Sequence, residues 1–421
     1  MNKTLPLSTG GLLCLLFTTN LVAENWTSWR GPTHQGSRNG ADYPTEWTVE
    51  SVQWRVPLPG KGASSPIVWE DRIFVTTPDS GIDTVIALDL DGEEIWRTAL
   101  GDERPAKHKK LGTSSNASPV TDGEGVYAYF KSGNIAALEM SGEVRWQRNL
   151  TEEFGVQELY WDQGSSPVII DDLLIFPRLH GGDSWVAGFD KATGETRWKT
   201  ERNYDVPAEN DNGYTTPVPL RHGDRDAVLI WCSDHVTTYA ADNGELLWSS
   251  GGFNPRGGKL WPPIATPVIS GDIAIIPVGR DDRKQAEVHA VRLGGSGDVT
   301  ASHRLWERDD FGVFVASPVA YEGKVYLLRN KGGIVCLDPK TGEPHWEVEL
   351  PRDAAPYYAS PLIVGGILYA AREDGVVFSA RVGDKFELLA ENDMGEQILA
   401  TPVPFDGKLL LRGEKHLFCV K

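Results

Sequence analysis

The chain is poor in the residues that most often announce chemistry. It has 4 cysteines among 421 residues. Cys14 falls in an N-terminal leader, and Cys232, Cys336 and Cys419 stand far apart. No spacing among them matches a zinc site. The 9 histidines are scattered, with no HExxH and no paired HxH. No GxSxG elbow is present. Basic residues are outnumbered, 41 Lys and Arg against 59 Asp and Glu, for a formal net charge of −18. An acidic chain of this kind is not drawn to phosphate backbones or anionic membrane surfaces, so a nucleic-acid partner is excluded. No block of like charge is long enough to form a tail.

Long apolar runs are also missing. The longest leader segment, 12–17, follows Lys3 and precedes Leu21, Val22 and Ala23. It reads as a secretory signal peptide, 1–23, cut after Ala23. It is too short for a membrane span, and Thr18, Thr19 and Asn20 interrupt it, so no transmembrane segment is expected. Leu13 precedes Cys14, where lipid attachment would need a small residue. The reading is a soluble, monomeric protein of the periplasm or one secreted beyond it.

What the chain has in quantity is repetition. A tetrapeptide of small residue, Ser/Thr, Pro and aliphatic residue recurs eight times, as SSPI, ASPV, SSPV, TTPV, ATPV, ASPV, ASPL and ATPV. The prolines are spaced 41 to 53 residues apart. Each copy opens a series of short β-favouring runs separated by Gly, Asp, Asn and Lys turns. A Gly-Glu pair precedes a Trp in five units: Trp96, Trp146, Trp198, Trp248 and Trp346. Gly supplies a positive φ, and Trp packs a large flat surface between sheets. Cys336 and Cys419 occupy places where other units carry Ala or Gly, and read as small buried side chains.

A four-stranded unit of this length predicts a β-propeller blade. The fold class is therefore all-β, an eight-bladed propeller over 51–421 preceded by a Trp-rich arm at 24–50. The proline starts the innermost strand, where a missing N–H is tolerated. The last unit stops at Lys421 without its Trp strand. SVQWRVPL at 51–58 has that pattern and no unit of its own, so it is expected to complete the last blade. Closure of this kind removes two exposed sheet edges. The fifth unit carries an insertion at 280–306. The seventh lacks its closing Trp. Trp26, Trp29 and Trp47 are too many for a disordered tail, and the arm is expected over the side or one face of the ring.

The residues NWTSWRGPTHQG, PTEWTVESVQWRVPLPGKGASSPIVWEDRIFVTT and ASPVTDGEGVYAYF resemble a bacterial family of exported pyrroloquinoline-quinone-binding-like repeat proteins. That repeat is similar, more distantly, to the BamB-type scaffold of outer-membrane β-barrel assembly and to quinoprotein dehydrogenases. The first resemblance implies a non-catalytic scaffold whose partners are envelope proteins, peptides or glycans. The second implies a dehydrogenase of alcohols or sugars that holds pyrroloquinoline quinone with Ca²⁺ over the channel. Such enzymes carry a disulfide between adjacent cysteines, and no two cysteines here are neighbours. A c-type haem site, CxxCH, is absent too.

In a propeller, the connections between blades and the loops joining second and third strands gather on one face, where binding usually resides. ERPAKHKKLGTSSN supplies Arg104, Lys109 and Lys110, either an anion clamp or a solvated loop. QELYWDQG supplies Tyr160 and Trp161, a stacking platform or a blade junction. AENDNGYTT supplies Asp211 and Tyr214, a polar ligand loop or an Asx turn. FNPRGGKLWPP adds Arg256 and Trp261, and PRDAAPYY adds Tyr357 and Tyr358. These are the ligand-face candidates. No residue is assigned a catalytic or metal-binding role.

Overall fold

The computed structural model describes residues 25–40, 42–108 and 110–421. The signal peptide and Lys109 lie outside the described residues. Eight sheets form an eight-bladed propeller. Their inner strands are Ile67–Trp69, Val120–Thr121, Val168–Ile170, Val218–His222, Val268–Ser270, Val319–Tyr321, Leu362–Val364 and Val403–Phe405. These define blades 1 to 8. Every one begins at the residue after a repeat proline.

The eighth blade is completed by Trp54–Pro57, which pairs antiparallel with His416–Val420. Trp54 faces Cys419 and Pro57 faces His416. The insertion in the fifth unit does not break its blade. Its short strand Gly297–Asp298 instead lies parallel to Leu246–Ser250, covering the outer edge of blade 4. In the seventh unit Ala390 stands at the register position of the outer Trp, opposite Ser379, and Phe386 lies 5.7 Å from the Trp346 ring of blade 6.

The apolar core lies between neighbouring blades. Outer-strand tryptophans are its pegs. Each of Trp96, Trp146, Trp198, Trp306 and Trp346 follows a register shift. A bulge of this sort re-aims the side chain. The indole N–H groups then cross to the next blade: Trp54 to Leu90 O at 2.9 Å, Trp96 to Met140 O at 3.0 Å, Trp198 to Ala241 O at 2.8 Å. The turn glycine has a second role here. A Cβ on Gly142 would sit 2.6 Å from the Trp96 ring, and one on Gly194 2.6 Å from Trp146. The residue opposite each Trp is small as well: Ala87, Ala137, Gly188, Ala290, Cys336, and Cys419 opposite Trp54. All three described cysteines are free and buried.

A ring of hydroxyls ties the inner strands together. The Ser65 N–H donates to Ser118 Oγ at 2.8 Å, Ser118 to Ser166 at 3.0 Å, and Ser166 to Thr216 at 3.0 Å. Thr216 donates to Thr266 at 3.0 Å, Thr266 to Ser317 at 2.9 Å, and Ser317 to Ser360 at 2.9 Å. The residue before each proline is thus small because the strands converge, and hydroxylic because a buried N–H needs an acceptor.

The arm does not run along the side of the ring at its start. It crosses the inner end of the channel and satisfies edge N–H groups of the inner strands. Trp26 O accepts from Val68 N at 2.9 Å, and Thr27 O from Thr121 N at 2.9 Å. Gln35 Oε1 accepts from Ile269 N at 2.7 Å, and Gly36 O from Ile363 N at 3.0 Å. Ser37–Arg38 adds a parallel strand to blade 7. Farther along, Trp47 is buried, with its N–H on Asn392 Oδ1 at 2.8 Å.

Candidate functional site

The channel is a blind funnel. The arm closes one end with Trp29, and loops surround the other. The cavity is about 330 Å³. Its wall has a simple origin in sequence. The residue three places before every repeat proline lines it: Ala63, Asn116, Gly164, Tyr214, Ile264, Val315, Tyr358 and Leu399. This layer sits one step above the hydroxyl ring. It carries no formal charge.

Charged groups stand higher in the wall, and each has a protein partner. Asp162 forms a buried ion pair with Lys131. It also accepts the Lys107 N–H at 3.0 Å. Lys131 is held in turn by Pro105 O at 2.5 Å. Arg280 pairs with Asp282 at 2.8 Å and lies 4.0 Å over the Phe314 ring. Beside them, burial pushes the Asp281 carboxyl up to about 6, and Asp281 accepts the Asn330 N–H at 2.6 Å. Burial also raises the Tyr358 and Tyr214 phenols above their usual range.

The structure brings together three of the ligand-face candidates, Trp161, Tyr214 and Tyr358, in this one cavity. Trp161 donates its backbone N–H to Tyr214 Oη at 2.9 Å. Tyr160 stands outside on the rim, 53 % exposed, and His108 bridges it to Trp161 with ring centroids 5.5 and 4.3 Å apart. Arg104 lines a small side pocket next to Lys131. Lys110 reaches across to Glu373 at 3.4 Å. Arg256 is exposed and pairs with Asp309 at 3.5 Å. Asp211 opens into a separate cleft between blades 3 and 4. Trp261 and Tyr357 are buried in inter-blade cores, because their loops fold back over blade 5 and blade 7. Trp29, Arg280, Asp282, Phe314 and Asn330 were not foreseen. The interval of three residues before each proline would have found the apolar layer, whereas Trp29 and Arg280 follow no repeat position.

A family described as "Outer membrane protein assembly factor BamB" matches residues 46–182 and 233–385. The chain belongs to this family. It is 22% identical to the BamB of Yersinia pestis over 354 residues, covering 82% of this chain and 80% of that protein. It is 22% identical to the BamB of Burkholderia pseudomallei over 361 residues, covering 76% and 85%. The crystal structure of BamB from Moraxella catarrhalis superposes with a TM-score of 0.61 at 15% identity, over 87% of this chain and 98% of that one. A quinohemoprotein alcohol dehydrogenase from Comamonas testosteroni gives 0.65 at 13% identity, over 94% and 80%. At these identities the likeness to solved structures is one of fold.

The funnel wall does not suit a Ca²⁺-held quinone. No group of three or more His, Cys, Asp or Glu side chains is placed to hold a metal ion among the described residues. The cavity's two carboxylates, Asp162 and Asp282, are each taken by a protein cation. A hard divalent cation needs several oxygen donors at once.

Proposed function

We propose that this chain is an exported, non-catalytic scaffold propeller of the periplasm, serving outer-membrane protein assembly as its relatives' names describe. The funnel face is its docking face for an envelope protein. The observation that carries the reading is the uncharged layer above the hydroxyl ring. Ile264, Val315, Leu399, Tyr214 and Tyr358 offer an apolar and aromatic socket, and the neighbouring charges are already paired. A wall of this kind receives an apolar or aromatic side chain of a partner segment, and its two lining carboxylates are already held by protein cations. The exposed Tyr160 at the rim extends the contact surface. No helix among the described residues is long and apolar enough to cross a membrane, in keeping with a peripheral role.

Site-specific photo-crosslinking in the producing cell tests this. A crosslinking residue at Leu399 in the funnel should capture a component of the outer-membrane assembly apparatus. The same residue at Leu388, exposed on the outer strand of blade 7, should not. Equal capture from both positions, or none from Leu399, would overturn the docking face.

A further inference from the structure

Three carboxylates share one place in the fold. Asp83, Asp234 and Asp281 stand where the second and third strands of blades 1, 4 and 5 meet, on the funnel face. Each reaches out of its own blade. Asp83 accepts from Asn134 Nδ2 at 2.9 Å and from Ser132, both at the matching hairpin of blade 2. Asp281 accepts the Asn330 N–H of blade 6 at 2.6 Å. Asp234 accepts from Asn254 Nδ2 at 3.1 Å and Asn210 Nδ2 at 3.3 Å, in the connections on either side of blade 4. The three carboxylates thus tie neighbouring loops together.

Every one of these donors is neutral. Asp83 and Asp234 are buried, and Asp281 is half-buried. A carboxylate in such a place loses hydration without gaining a cation, which favours its protonated form. Asp83 Oδ1 and Asp281 Oδ1 are buried and meet no donor, and Asn330 Oδ1 is a third acceptor in that condition. A proton on Asp281 turns one of the two orphan acceptors at its junction into a donor. The neighbouring charges do not supply the missing cation. Around Asp83 they are Glu103 and Tyr129, and Arg104 and Arg178 act on Tyr129. Around Asp281 they are Asp282, paired with Arg280, and Arg329, paired with Glu347 at 3.1 Å. Beside Asp234 is His235, which burial holds below its usual value and so neutral near pH 7. Burial raises all three carboxyls, Asp83 and Asp281 to about 6. Glu373, at the same hairpin of blade 7, is the contrast, with Lys110 at 3.4 Å.

We propose that the funnel-face end of the ring is a pH-sensitive clamp, whose three carboxyl junctions close more firmly on acidification and loosen on alkalinisation. Between the ordinary 3.8 and about 6, a closed junction at Asp83 or Asp281 binds more protons than an open one. Closure is therefore favoured as pH falls through 6, and the gain is complete below 3.8. Asn330 and Asp282 line the funnel, so the clamp acts on the wall of the docking face. That consequence rests on the docking reading, whereas the clamp itself does not.

Hydrogen–deuterium exchange on the full mature protein, corrected for the intrinsic pH dependence of exchange, tests the clamp without a partner. From pH 7.5 to pH 5, protection of 130–134 and 329–332 should rise about tenfold, the change supplied by a carboxyl that moves from 3.8 to about 6 on closure. The blade 7 hairpin at 372–375, where Glu373 has its cation, should stay level. The triple variant Asp83→Asn, Asp234→Asn, Asp281→Asn mimics the protonated state and should be protected equally at both pH values. Should it fail to fold, Asp281→Asn alone, read at 329–332, makes the same test. No rise in the parent, a rise that survives in the variants, or an equal rise at 372–375 would each overturn the clamp. Capture from Leu399 is measured separately, so lost docking with an intact pH response would fault the docking reading alone.

Discussion

Trp54 and Cys419 are cross-strand partners in the antiparallel pair that closes the ring. One comes from the start of the propeller and the other is its third-last residue. The cysteine is small because the indole packs over it, as Ala87 does under Trp96. Burial pushes its thiol up to about 12, so it stays protonated and unreactive.

Replacing Trp54 tests the closure. A fully buried Trp→Ala change costs roughly 3–5 kcal/mol. Trp54 is half-buried, so Trp54→Ala should cost about 2 kcal/mol, read from the urea midpoint. Deleting 51–58 should go further and expose the edge of His416–Val420, with aggregation visible by light scattering. A deletion that stays monomeric and cooperative would show that the ring does not depend on this strand.

The turn glycines separate backbone strain from packing. Gly142 and Gly271 both have positive φ, 90° and 62°. A Cβ at Gly271 meets nothing within 4 Å, whereas at Gly142 it meets Trp96 at 2.6 Å. Gly271→Ala should cost about 1–2 kcal/mol from the positive φ alone. Gly142→Ala should cost clearly more in the same denaturation assay. Equal losses would mean that the indole shifts freely.

Asp83 gives a pH signature. It is fully buried, accepts from Asn134 Nδ2 at 2.9 Å and from Ser132, and leaves one oxygen unpaired. Burial, with Glu103 nearby, raises it from 3.8 to about 6. The folded state then binds more protons than the unfolded state between those values, so stability falls as pH rises through them. Asp83→Asn should be more stable than the parent at pH 8, by up to about 3 kcal/mol at 1.36 kcal/mol per pH unit. The advantage should shrink as pH falls through 6 and vanish below 3.8. A pH-independent difference would contradict the assignment.

Quinone binding is predicted to be absent. A specific ligand at a hundred times its Kd stabilises a fold by about 2.7 kcal/mol. Saturating pyrroloquinoline quinone should leave the thermal midpoint unchanged, with or without Ca²⁺. A Ca²⁺-dependent rise would reopen the dehydrogenase reading.

The repeat proline, the outer Trp and the turn Gly-Glu pair are legible in the sequence because each is a local requirement met again and again, eight, seven and five times respectively. So is closure, since an unfinished last unit and an unmatched first strand balance each other. Some of the wall of the funnel was legible in the same way, through Tyr214 and Tyr358 three residues before their prolines. The remainder depends on distance in space. Trp29 becomes a floor only once eight inner strands surround the arm, because the edge N–H groups it helps to cover exist only in the assembled ring. Lys131 and Asp162 lie on different loops, and no spacing announces that they neutralise each other. Trp261 and Tyr357 look like ligand aromatics in sequence and are core residues in space. The sequence by itself determined the architecture, through periodic local chemistry. The tertiary structure alone decided which polar groups are paired and which remain available, because pairing is set by contacts between residues far apart in the chain.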